Sequence, residues 1–295
     1  MKTAQTFSAI AKQISDVTQT SFEIENTKSI SGGDINAAFL LEGKNQRYFV
    51  KLNQANLLEM FAAEFIGLTE LAKTQTVKIA SPITFGQTDE NSFLVLEFIE
   101  FKRATPKSET QFGQQLAQLH LQKQPYFGWK IDNTIGSTPQ PNARSENWVT
   151  FWREQRLGFQ LQLAAQKGYG GKLQTLGEKL CERLDDFFID YKPQPSLLHG
   201  DLWGGNFATD NENNPVIFDP ACYYGDRETD LAMTELFGGF GQNFYAAYNE
   251  VWQLDSGYKT RKTLYNLYHI LNHVNLFGGG YASQAEKMMQ KLLAE

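Results

Sequence analysis

Two cysteines in 295 residues are too few for a disulfide framework. Cys181 and Cys222 also lie outside any CxxC or Cys/His ligand spacing, so a structural zinc site is not expected. No apolar run reaches the ~18 residues that a membrane-spanning helix needs. The opening "MKTAQTFSAIAKQIS" lacks the continuous apolar stretch of a secretory leader. These absences lead us to expect a cytoplasmic protein with no membrane partner. Positive charge is short as well: 27 Lys and Arg against 33 Asp and Glu leave a formal net charge of −6. Nucleic-acid backbones are held mainly by a Lys and Arg excess, so no nucleic-acid partner is expected. Internal repeats and low-complexity linkers are missing too. Hydrophobic residues at 41% exclude disorder, and the length allows two lobes with their own cores.

The hydrophobic pattern changes character along the chain. Phe7, Ile10, Ala11 and Ile14 recur at helical spacing, which predicts an amphipathic helix over 3–16. Residues 21–53 then alternate as three strands, with turns at Gly32-Gly33 and Gly43-Lys44-Asn45. A helix pattern fills 57–74, and two more strands follow around "IASPITFGQ" and "FLVLEFIE". Beyond residue 104 the expectation is mostly helical: 108–122, 145–167, 172–190, 227–238, 242–252 and 259–276. Residues 125–144 read as a long Gly/Pro/Asn-rich loop, and loops of that length usually carry a function. The fold class predicted is α+β, with a small antiparallel-sheet lobe over 1–99 and a larger, mostly helical lobe over 100–295.

One stretch, "LLHGDLWGGNFATDNENNPVIFDP" (197–220), interrupts the helical half. Asp, Asn, Gly and Pro are turn residues, and punctuation is one reading. Phosphoryl transfer is the other, because it needs a donor cradle, a cation, metal ligands and a carboxylate beside the attacking hydroxyl. Asp201 and Asn206 have the spacing D-x-x-x-x-N of kinase catalytic loops, and Asp219 closes an apolar strand where kinases keep a metal-binding Asp. Asp201 would then orient or accept the hydroxyl proton, with Asn206 and Asp219 as oxygen ligands of Mg²⁺. Upstream, Gly32-Gly33 could let backbone N–H groups approach phosphates. Lys51 ends a strand and Glu64 lies on the next helix, the order of the ion pair that aims a kinase lysine at ATP. Singly, the Gly pair, Lys51 and Glu64 fit ordinary turn and surface roles; a turn alone requires neither Asp219 after "VIF" nor the upstream pair.

The motifs "HGDLWGGN", "FDPACYYGDRETDLAM", "NTIGSTPQPN", "NWVTFWREQRL" and "LYHILNHVNLFGGGY" resemble the fructosamine kinase (ketosamine-3-kinase) family nearly end to end. That family lies in the aminoglycoside and choline kinase branch of the protein-kinase-like fold. The resemblance implies ATP- and Mg²⁺-dependent phosphorylation of the 3-hydroxyl of a ketosamine, free or protein-bound, and a deglycation role. It implies that Asp201 is the base, that Asn206 and Asp219 are the metal ligands, and that Lys51 and Glu64 are the phosphate clamp. Glu97, Phe98 and Ile99 become the hinge that holds adenine, His199 and Asp230 supports of the catalytic loop, and His273 a substrate contact. Many eukaryotic members carry a Gly-loop cysteine able to link subunits, whereas Asp34 lies near that place here, so a monomer is expected.

Trp203, two residues after Asp201, is either a lid on the helical core or a wall of the sugar pocket; indole faces suit polyols and cationic amines. His269 and His273 are four apart on a helix but lack the partner carboxylate of a metal site. Two rivals remain. One is a kinase of the same fold acting on a choline- or aminoglycoside-type amine. The other is a catalytically silent nucleotide-binding module, although Lys51, Asp201, Asn206 and Asp219 are all present.

Overall fold

The computed structural model describes residues 2–31 and 35–295, so Gly32, Gly33 and Asp34 lie outside the described residues. Helix α1 (Lys2–Thr18) leads into strands β1 (Asn26–Ile30), β2 (Ala37–Glu42) and β3 (Arg47–Gln54). Helix α2 (Leu58–Lys73), β4 (Lys78–Ile79), β5 (Pro82–Gln87) and β6 (Asn91–Glu97) follow. Five of these strands form one antiparallel sheet in the order β1-β2-β3-β6-β5. Strand alternation divides its side chains. Tyr48, Val50 and Leu52 pack with Ile10, Ile14 and Phe22, so α1 closes one face of the sheet. Phe49 points the other way, toward the core that α2 shares with the helical half. Lys51 stands between Val50 and Leu52, on that second face.

Strand β4 leaves this sheet and pairs in parallel with β11 (Pro215–Ile217), which is itself paired with β10 (Phe207–Thr209). Lys78 Nζ reaches Asp210 Oδ2 at 2.8 Å beside this junction. Burial opposes the charge on Asp210, but Lys78, Asn214 and two backbone N–H groups outweigh it and hold the carboxyl far below its ordinary range. The backbone of Lys102 also exchanges hydrogen bonds with Thr209. The sheet half and the helical half are therefore joined by a ladder and an ion pair as well as by the chain.

The helical half contains α3 (Pro106–His120), β7 (Asn133–Ile135), β8 (Thr138–Gln140), α4 (Trp148–Trp152), α5 (Phe159–Gln166), α6 (Lys172–Glu182) and β9 (Ser196–Leu198). After β10 and β11 come β12 (Tyr223–Gly225), α7 (Glu228–Thr234), α8 (Gln242–Val251), α9 (Tyr258–Phe277) and α10 (Tyr281–Leu293). Thr105 caps α3 by accepting from the Ser108 N–H, and Pro106 opens it, where a missing N–H costs nothing. The expected loop over 125–144 contains the β7–β8 hairpin, whose three-residue strands are too short to show a period of two. The single helix expected over 145–167 runs over 148–166, with a wide, π-type turn at Arg153–Gly158 between α4 and α5. The helix expected over 172–190 ends at Glu182. Helix α10 has no counterpart among the expected elements; Ala285, Met289 and Leu292 bury its apolar stripe.

Phe112 on α3 is fully buried and stacks on Phe207 (centroids 4.5 Å apart) and Phe244 (5.3 Å), so it joins β10 to α8. Phe112→Ala is expected to cost about 3–5 kcal/mol, the range for a truncated core phenylalanine, read from the shift in a urea unfolding midpoint. A loss below about 1 kcal/mol would show that these layers do not depend on it.

Candidate active site

Two short ladders explain why residues 199–206 and 218–222 meet. Leu198 pairs with Tyr223 in the β9–β12 ladder, and Phe207 pairs with Ile217 in the β10–β11 hairpin. The segments between are clamped at both ends. Inside the clamp, the Ala221 N–H donates to the His199 carbonyl (2.8 Å) and the Phe218 N–H to the Asn206 carbonyl (3.2 Å). Gly200 has φ +84°, and a Cβ there would lie 2.1 Å from the Ala221 carbonyl oxygen, so only glycine fits between the strands. Asp219 also has a left-handed backbone, φ +57°. Such a conformation is costly for a non-glycine residue and turns its carboxylate out of the strand direction.

That carboxylate meets the sheet half. Lys51 Nζ donates to Asp219 Oδ1 (2.6 Å) and to Glu64 Oε1 (2.5 Å). Burial disfavours the ammonium, but Asp219 and Glu64 outweigh it and raise the Lys51 pKa. The same burial raises the Glu64 carboxyl, with Lys51 pulling the other way. Residues from β3, α2 and the 218–222 segment thus share one buried cation. Lys51 lies within β3, which runs on to Gln54, rather than at the strand's end as expected; a strand lysine and a helix glutamate give no such signal separately.

Asn206 is buried against the same centre. Its Nδ2 donates to the Asp201 carbonyl (2.9 Å) and approaches Asp201 Oδ2 (3.3 Å). Its Oδ1 has no protein partner among the described residues, and neither has Asp219 Oδ2. Burial raises the Asp201 pKa to about 7, the Asp219 carboxylate adds to this, and the Asn206 hydrogen bond opposes it. An acid poised near neutrality suits proton acceptance.

Beneath Asp201 lies a buried support. Asp230 on α7 accepts from the backbone N–H groups of His199 and Gly200, both at 2.8 Å. Burial opposes its charge, yet His120 and the backbone donors prevail and keep its pKa low. Burial lowers the pKa of both His120 and His199 despite the nearby carboxylates. The neutral tautomers then follow from the partners. His199 Nε2–H donates to the Phe218 carbonyl (2.9 Å), and its Nδ1 accepts from the Asp201 N–H (3.2 Å). His120 Nε2–H donates to Asp230 (3.2 Å), and its Nδ1 accepts from Tyr248 Oη (2.8 Å). Taken alone in the sequence, His120 looks like any core histidine.

A second buried network fixes the other wall. Gln140 Nε2 donates to the Ala221 carbonyl and Asn133 Nδ2 to the Cys222 carbonyl, while Tyr268 Oη donates to Gln140 Oε1 at 2.7 Å. Arg156 from the π-type turn holds Asn142 Oδ1 (2.8 Å) and lies 4.0 Å from the centre of the Tyr223 ring. No carboxylate pairs with this buried guanidinium among the described residues, so carbonyl oxygens and ring faces carry its charge. The motif "NTIGSTPQPN" marked this region, but nothing in it named Arg156 as its partner.

The remaining candidates sit at the edges. Glu97 ends β6, and its N–H donates to the Ser81 carbonyl. The backbone groups of Phe98 and Ile99 have no hydrogen bond among the described residues. Trp203 is exposed beside Asp201, and a Cβ on Gly205 would strike its ring, so the indole lies flat over that turn. His273 donates to the His269 carbonyl through Nδ1–H at 2.7 Å and packs among Phe237, Phe277 and Tyr281. No group of three or more His, Cys, Asp and Glu arranged to hold a metal unaided occurs among the described residues. No helix among them is long and apolar enough to cross a membrane.

His269 is buried on α9, and burial, with His273 and Arg156 adding to it, lowers its pKa to about 3. It titrates near 6.5 when unfolded, so its contribution to stability is complete above that pH. That contribution is lost as the pH falls from 6.5 toward the folded value, because only the unfolded ring takes up a proton. A ¹⁵N histidine NMR titration should find this ring neutral at pH 5. A protonated His269 at that pH would contradict the packing described.

Comparison with known proteins agrees with this geometry. A profile described as "Fructosamine kinase" matches residues 6–295. A probable ketoamine kinase of Synechocystis is 48% identical over 285 residues, covering 96% of each chain. A chloroplastic protein-ribulosamine 3-kinase of Arabidopsis thaliana is 40% identical, covering 92% of this chain and 83% of the other. A Haemophilus somnus crystal structure, provisionally named a fructosamine-3-kinase, superposes with a TM-score of 0.89 at 32% identity, covering 96% of each chain. The choline kinase of Streptococcus pneumoniae shares the fold alone, with a TM-score of 0.62 at 16% identity, covering 98% of this chain and 99% of that one. The protein-kinase-like fold is thereby established, and the chain belongs to the fructosamine kinase family of phosphotransferases.

Proposed function

We propose that this protein is an ATP-dependent ketosamine 3-kinase working in the cleft between the segments 1–99 and 100–295. The observation that carries the reading is Lys51 Nζ bridging Glu64 and Asp219, beside Asp201 and Asn206. Family membership and relatives named ketoamine and ribulosamine kinases support the acceptor.

The division of labour follows from the donor set. Lys51, aimed by Glu64, offers its positive charge to the donor phosphates. Asn206 Oδ1 and Asp219 Oδ2, without protein partners among the described residues, would hold Mg²⁺, a cation that takes hard oxygen ligands. Mg²⁺ held there would offset the phosphate charge during transfer. The backbone groups of Phe98 and Ile99 suit an adenine edge. Asp201 takes the proton of the sugar 3-hydroxyl as its oxygen bonds to the γ-phosphorus and the bond to the ADP oxygen breaks. His199 and Asp230 hold Asp201 at that position through its own and the neighbouring backbone N–H groups. Trp203 provides the ring face of the acceptor pocket, and His273 a polar edge. A monomer would suffice, since all of these groups come from one chain.

Asp201→Asn should lower kcat by about 10²–10⁴-fold while ATP binding persists. Turnover close to wild type would remove Asp201 from the role. Asn206→Ala and Asp219→Asn should each raise the Mg²⁺ concentration for half-maximal activity at least about tenfold. An unchanged Mg²⁺ requirement would separate these residues from the cation. With a panel of ketosamines, choline and aminoglycosides, a ketosamine should have the highest kcat/KM, and Trp203→Ala should raise KM for it more than for ATP. A better choline or aminoglycoside substrate would refute the acceptor.

A further inference from the structure

Exposed large apolar side chains are unevenly spread. Among the described residues nine are exposed, and four of them lie along one connected run, a partial collar: Trp203 (39%), Ile35 (40%), Phe237 (41%) and Phe277 (61%). The contacts trace the run. A Cβ on Gly204, next to Trp203, would lie 3.7 Å from the carbonyl oxygen of Gly238, next to Phe237. The Phe237 ring is 4.9 Å from His273, which is 5.4 Å from Phe277 and 5.0 Å from Tyr281. Leu276, adjacent to Phe277, and Ile35 both close on the hairpin tip: a Cβ at Gly136 would lie 3.3 Å and 3.2 Å from them. The collar therefore runs from the turn beside Asp201, through α9, to the residue that follows Asp34. Contiguous apolar surface of this kind on a single chain marks a binding site rather than chance exposure.

We propose that this collar, which extends the acceptor pocket outward from Trp203 and His273, is a subsite that takes the substituent on the amine nitrogen and favours flat, apolar groups such as arylalkyl amines. The inference rests on the ketosamine reading above. With the sugar 3-hydroxyl at Asp201, the amine substituent lies on the side away from the phosphates, where the collar begins at Trp203 in the same turn as Asp201. The nitrogen of such an adduct is a secondary ammonium. None of the seven collar side chains (Ile35, Trp203, Phe237, His273, Leu276, Phe277, Tyr281) is a Lys or Arg that would repel it. Aromatic faces attract such a cation, and offset or tilted rings accept an aryl group at the spacings found between Phe237, His273, Phe277 and Tyr281. A small zwitterionic amine such as glycine leaves the collar uncovered.

The test compares ketosamines that share one sugar but carry glycine or benzylamine. The benzylamine adduct should have the higher kcat/KM by about tenfold, chiefly through KM, as burial of one aryl face implies. The Phe237→Ala/Phe277→Ala protein should bring that ratio to within about twofold, and Phe277→Leu, which keeps apolar area, should fall between. Equal kcat/KM for both adducts in the wild type, or a ratio that survives the double substitution, overturns the proposal. Calorimetric binding of both adducts reads the same preference without turnover. If choline outperforms both as substrate while the benzylamine adduct still binds about tenfold more tightly, the acceptor reading fails and the collar stands. Equal binding removes the collar.

Discussion

One buried ammonium organises the centre of this molecule. Lys51 is removed from water, which by itself disfavours its charge, so the site exists only because two carboxylates converge on it. Those carboxylates come from a helix of the sheet half and from the left-handed residue that follows β11. Losing Lys51 leaves the buried Glu64 carboxylate without its cation, a larger penalty than the loss of a surface pair, whereas Asp219 is half exposed and remains hydrated. The sheet face, the tilt of α2 and the path of residues 218–222 are therefore not independent. Each must deliver its charge to the same few ångströms.

A second constraint is how the loop carrying Asp201 is held. Its flanking ladders fix where it begins and ends, and Asp230 fixes its first two peptide N–H groups. Asp230 is in turn held by His120, and His120 by Tyr248. His199 binds the loop to the Phe218 carbonyl through a neutral ring. Neutral imidazoles around one ionised carboxylate satisfy each hydrogen-bond valence without adding buried charge, which keeps the support inexpensive to bury. Rigid support of this kind lets Asp201 keep a near-neutral pKa without losing its position.

The side proposed to take the acceptor is built on another principle. Its inner wall is a polar network around Gln140, Asn142 and a guanidinium compensated by carbonyl oxygens and rings. Its outer edge is apolar and exposed. A polar interior with an aromatic mouth suits a ligand with a hydroxyl-bearing part and a bulkier substituent. On the proposed reading, β3 and α2 serve the phosphates, the β7–β8 hairpin and α9 serve the acceptor, and the 199–222 segments lie between and touch both. On that reading, changes at the mouth alter which amine is accepted without disturbing the Lys51 centre.

Local chemistry was enough to announce some of this. Alternation over 37–54 and the helical pattern over 57–74 are set by side chains one turn or one strand apart, so the sheet, α2 and the face carrying Lys51 were legible. So was the group Asp201, Asn206 and Asp219, because a loop and its return strand lie close in the chain. The motifs between residues 133 and 281 likewise carried the family. What tertiary structure alone decided involves partners far apart in sequence. The 168-residue gap between Lys51 and Asp219, the 110-residue gap between His120 and Asp230, and the pairing of β4 with β11 have no local signature. Nor has the π-type turn at Arg153–Gly158, which aims Arg156 at Asn142 and Tyr223. A sequence pattern reports what a residue's neighbours along the chain require; a buried charge is positioned by whatever packing brings to it from elsewhere.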